Sequence, residues 1–135
     1  MNSIDIRTKL SVLWIFILMN LIFRDLHEFA SKDFLEEALT GHVNGVKITD
    51  GLMLFGGVLA EIPIAMVVLS LVLKKKLNRI FNLVSGIIIL AFLIFNIQTA
   101  DTDDFFFLFF EITASIFILW TAFKWESKKA YPYPN

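Results

Sequence analysis

Four apolar runs, separated by clusters of charge, dominate the chain: residues 10–23, 51–73, 80–100 and 105–123. At about 1.5 Å of rise per residue, a helix through any of the last three crosses most or all of a hydrocarbon core about 30 Å thick. The first run has only 14 residues. As a helix it covers about 21 Å, so it is expected to continue through Arg24, Asp25 and His27 to about residue 29. The pattern therefore predicts an all-α fold, a four-transmembrane-helix bundle forming one domain over residues 1–135, with helices near 10–29, 51–73, 80–100 and 105–123. Between the first two, Ser31 can cap a short helix that aligns Phe34, Leu35, Ala38 and Leu39, with Gly41 to end it. Val43-Asn44-Gly45-Val46 reads as a tight hairpin turn. Together they are expected to form a small extracytoplasmic helix/hairpin lid, either sealing helix ends or gating them.

Composition agrees with a membrane setting, since 57% of residues are hydrophobic and phenylalanine occurs 15 times in 135 residues. The basic residues set an orientation. Arg7 and Lys9, then Lys74, Lys75, Lys76 and Arg79, then Lys124, Lys128 and Lys129 all flank the same end of the four spans, whereas Asp25, Glu28, Asp33, Glu36, Glu37, Asp50, Asp101, Asp103 and Asp104 flank the other. Both termini are expected in the cytoplasm, in a multi-pass membrane protein. A cleavable signal peptide is the alternative for the first run. Against it, Glu28 stands two places before Ala30, where a cleavage site requires a small residue. A net charge of −1 speaks against nucleic acid as a partner. The absence of cysteine excludes disulfides, thiolate catalysis and cysteine-bound metal.

Glu61 and Glu111 carry the candidate chemistry, because each interrupts a membrane-length run where an ionised acid costs roughly 2.5 to 3.5 kcal/mol on the insertion scale. Such a group is expected to be paired, neutralised or wetted. Asn20, Asn96 and Asp25 reach the same half of the membrane, so the five are expected to bind a ligand, cation or proton in a cavity that opens outward. The other half offers chiefly Asn82 and Ser85. Gly57, Glu61 and Ala65 recur every four residues, and Gly56 with Ala60 makes a small-xxx-small pair, so this side of the second helix is expected to pack on its neighbours or on a second copy of the chain. Pro63 leaves the carbonyl of Leu59 without its helical donor and is expected to kink the helix. His27 and His42 show no ligand spacing, so no metal and no other cofactor is expected. Trp120, Trp125, Tyr131 and Tyr133 at one end and the Phe105–Phe110 cluster at the other read as interfacial anchors and packing residues.

Trp14, Asn20 and Asp25, the run Glu61-Ile62-Pro63-Ile64-Ala65-Met66, then Asn78, Arg79, Asn82, Glu111 and Trp120 resemble a family of uncharacterised bacterial four-helix integral membrane proteins, loosely DoxX-like. The resemblance extends from Leu10 to Trp125 and implies a bacterial inner-membrane location, with no activity or cofactor attached. Three function classes remain: a binding or transport protein for a small ligand, cation or proton; a structural or accessory membrane subunit; and a lipid-modifying enzyme, for which no recognised catalytic motif is present. Membrane lipids and a homo-oligomer are the expected partners.

Overall fold

The computed structural model describes residues 4–125. Tyr131, Tyr133, Lys128 and Lys129 lie outside the described residues. Five helices and one minimal hairpin follow in the order α1 (Ile6–Glu28), α2 (Lys32–Leu39), β1 (His42–Val43), β2 (Val46–Lys47), α3 (Asp50–Val72), α4 (Lys75–Asn96) and α5 (Thr102–Lys124). The four long helices are each apolar and long enough to cross a membrane, the make-up of a multi-pass membrane protein. They run up, down, up and down, with α1 against α3 and α5, and α4 against α5 and α3. Their ends define a basic end, where α1 and α4 begin, and an acidic end, where α3 and α5 begin.

Helix boundaries differ most from expectation where charge was used as punctuation. Helix α4 begins at Lys75, five residues before the apolar run at Ile80, because lysine, asparagine and arginine are all compatible with helical backbone. The break falls instead at Leu73 and Lys74, both extended. Asp101 caps α5, its carboxylate accepting from the Asp104 N–H, and Thr49 caps α3 by accepting from the Leu52 N–H. Ser31 precedes α2 but its hydroxyl makes no capping bond. Gly41, with φ +81°, follows the end of α2, and Asn44 and Gly45, with φ +50° and +74°, turn the hairpin, the left-handed pair that a two-residue primed turn demands. The Glu37 carboxylate accepts from the Gly45 N–H, tying α2 to that turn.

The core is a thin axial column of Leu10, Trp14, Ile17, Met66, Ile89, Leu93, Leu108, Ala114 and Ile118. Around it, Phe109, Ile87, Phe117 and Val68 are among many large apolar side chains that face outward. An apolar exterior on this scale suits lipid as the solvent rather than water. Close approach occurs between α4 and α5. A Cβ on Gly86 would stand 2.9 Å from Leu119 Cδ2, so glycine leaves room for the Leu119 side chain against α4. Gly56 and Gly57 meet nothing within 4 Å of such an atom, and Ala60 is exposed. Within one chain the expected packing role of Gly56, Gly57 and Ala60 is therefore corrected to Gly86.

Candidate functional site

Arg24 and Glu111 form the charged centre of the bundle. Arg24 lies four residues from the end of α1 and Glu111 nine residues into α5, about 6 and 14 Å below the acidic end. The length of the arginine side chain closes that difference. Its Nη1 donates to Glu111 Oε2 at 2.8 Å, with the arginine side chain 9% exposed and the glutamate fully buried. The pair neutralises both charges where neither could be left alone. Ser115 donates to the Glu111 carbonyl one turn on. The second carboxyl oxygen, Oε1, is buried and accepts no hydrogen bond from the described residues.

Above this pair, at the acidic end, lies a cavity of about 460 Å³ lined by His27 and Glu28 of α1, Asp33 and Glu37 of α2, and Asp101, Asp103 and Asp104 at the start of α5. Phe34, Asn44 and Thr99 complete its polar and aromatic wall. His27 Nε2 stands 2.9 Å from Asp103 Oδ2. The Asp104 N–H, bonded to the Asp101 carboxylate, holds that carboxyl below the usual aspartate range. Six acids around one histidine give the cavity a negative potential. The charge of Arg24 acts on Asp25, Glu28 and Asp104, so the deep ion pair and the cavity above it are electrostatically connected. No group of three or more histidine or acidic residues among the described residues is arranged to hold a metal ion.

The residues singled out from the sequence do not converge on one site. Asn20 donates to the Phe16 carbonyl and Asn96 to the Phe92 carbonyl, each satisfied within its own helix. Asp25 is exposed beside Arg24. Glu61 is exposed as well, which corrects the expectation that it faces neighbouring helices. The buried side of α3 is set by Pro63, Met66 and Ser70. At about 100° per residue, Glu61 lies half a turn away from Ser70, on the opposite side of the helix. The apolar stretch gave no help in choosing a side, because α3 is hydrophobic all round. Pro63 is buried inside an unbroken helix, and its ring too lies on the far side from Glu61.

A second polar cluster occupies the half of the bundle expected to be nearly apolar. Trp14 Nε1 donates to Asn82 Oδ1 at 2.7 Å, and Ser70 Oγ approaches the same oxygen at 3.4 Å. Asn82 Nδ2 donates to the backbone carbonyl and the side-chain oxygen of Asn78, while Asn78 Nδ2 donates to the Ser70 carbonyl at 2.6 Å. Ser11 donates to the Val67 carbonyl. Ser70 lies in the last turn of α3, where carbonyls lack helical donors, so the cluster satisfies a helix end while joining α1, α3 and α4. The sequence signal was the Asn78/Asn82 pair four residues apart on α4, level with Trp14.

Basic side chains at the same end act on other helix termini. Arg79 donates to the carbonyls of Ala122 and Phe123, Arg7 reaches that of Leu71 at 3.5 Å, and Lys124 lies 4.1 Å from the Trp120 ring centroid. Beyond any part in topology, these cations complement the negative ends of α5 and α3.

Neither the curated proteins nor the solved structures contain a significant match to this chain. One family does match, over residues 3–131, a stretch that includes the Arg24–Glu111 pair, the acidic cavity and the asparagine cluster. The chain belongs to the family of unknown function DUF6326.

Proposed function

We propose that this protein binds a small organic cation in the cavity at its acidic end, as a binding or transport component of a bacterial inner membrane with both termini in the cytoplasm and the cavity facing outward. The observation that carries this reading is the cavity itself: about 460 Å³, with six carboxyl groups in its wall. That volume suits a small molecule, and the charge selects a cation. Phe34 adds an aromatic side chain to the wall. The Arg24–Glu111 pair below is the element through which occupancy would be felt in the membrane, since a cation above Asp104 and Glu28 competes with Arg24 for the same field. A proton on Glu111 would weaken the pair and release Arg24 towards the cavity acids. Purified protein in detergent is expected to be stabilised to heat by tetramethylammonium or spermidine beyond sodium chloride of equal ionic strength. Replacing Asp101, Asp103 and Asp104 together by asparagine should abolish the difference. Equal responses to organic cation and sodium in the unmodified protein would end this proposal.

A second reading, a structural or accessory subunit, is supported by the way the ion pair and the asparagine cluster tie helices together. Glu111→Gln separates the two. A structural role predicts lower thermal stability with the cation response retained; a ligand-coupled role predicts a weakened response in protein that still folds.

A further inference from the structure

Among the described residues, the acidic half of α3 is largely uncovered. Every residue from Asp50 to Glu61 is exposed except the half-buried Leu59, and α3 meets its neighbours through Pro63, Met66 and Ser70 further along. Met53, Gly57, Ala60, Ile64 and Val68 follow one another at three- and four-residue steps along a single side, with Glu61 next to Ala60 on that side. Glu61 is the twelfth of the 23 residues of α3, midway between the helix ends, and the only ionisable group between Asp50 and Lys74. A carboxyl at that depth, turned away from its own bundle, would otherwise meet hydrocarbon. Beside it, Gly56 and Gly57 leave open space where side chains would stand.

We infer that a second copy of this chain covers this face in parallel orientation, with the two α3 helices in close contact at Gly57 and Ala60 and each Glu61 side chain hydrogen-bonded to its counterpart across a twofold axis. Self-complementarity argues for a second copy over another protein. A twofold interface sets each residue near the axis against itself, and two chains inserted alike hold Glu61 at one depth. A carboxyl that holds its proton can serve as its own partner, donating through its O–H and accepting through the other oxygen. Small residues on both helices permit the backbone approach that such short side chains need. The pairing does not depend on the cation-binding reading, because the face and the cavity share no residue.

The chain has no cysteine, so single replacements report on this interface without background. In proteoliposomes containing only this protein, Gly57→Cys, Ala60→Cys and Ile64→Cys are expected to form disulfide-linked dimers under mild oxidation at least tenfold more efficiently than Ile87→Cys, an exposed position on α4. Adding Glu61→Leu to Ala60→Cys should reduce cross-linking several-fold. Adding Glu61→Gln should preserve it, since an amide also donates and accepts. Thermal unfolding of each variant verifies that these exposed substitutions leave the bundle folded. Cross-linking at the α3 positions no greater than at Ile87 would overturn the inference, as would an unchanged yield in Glu61→Leu. Single-step photobleaching of dilute labelled protein in the same liposomes would overturn it equally.

Discussion

Glu111 shows what one residue can demand of a fold. Fully buried and bonded to Arg24, it cannot lose its partner without either leaving a poorly solvated charge or taking up a proton. Arg24→Ala or Glu111→Ala is expected to cost about 3 to 5 kcal/mol, whereas Arg24→Leu with Glu111→Leu should recover most of that loss. A double-mutant cycle of unfolding in mixed micelles checks this, and additive losses would show that the pair is not coupled. Asn82 makes a similar case with neutral groups. Asn82→Ala orphans Trp14 Nε1 and Asn78 Oδ1 and should cost about 1 to 3 kcal/mol, read as a lower unfolding midpoint with altered tryptophan fluorescence. That Glu111 must be paired, neutralised or wetted was legible from its apolar surroundings. Its partner was not, because Arg24 lies 87 positions away at a different nominal depth, and only the antiparallel packing of α1 on α5 brings its long side chain down.

At the scale of elements, helix ends and helix contacts carry the testable content. Asp101→Ala removes the cap of α5 and should cost about 1 kcal/mol. Its pH dependence has a fixed sign. Because the folded carboxyl titrates below its ordinary value of 3.8, the stabilisation is complete above that value and is lost as pH falls through the lowered one, so unfolding midpoints of native and Asp101→Ala protein should converge in acid. Between helices, Gly86→Leu forces bulk against Leu119 and should destabilise by about 1 to 3 kcal/mol, while Gly57→Leu should leave the unfolding of a single chain nearly unchanged. The four long helices and the Asn-Gly turn were readable from hydropathy and turn chemistry. The buried side of α3 was not, since a helix apolar all round has no amphipathic stripe to orient it.

For the whole molecule, charge asymmetry between the two ends leads to a topology prediction. Thr40→Cys, beside the hairpin, is expected to react with a membrane-impermeant maleimide in intact cells, and Leu77→Cys, near the basic end, only after permeabilisation; the reverse pattern would invert the proposed orientation. By itself, the order of apolar and charged residues determined that four helices of membrane length form, where they turn and which ends are basic or acidic, because these depend on local hydrophobicity and backbone preference. Tertiary structure alone decided which polar groups meet. It paired Glu111 with Arg24, gathered Trp14, Ser70, Asn78 and Asn82 into one cluster, and turned Glu61 outward. Those outcomes depend on the rotation of each helix about its axis, which is settled by packing against neighbours distant in sequence.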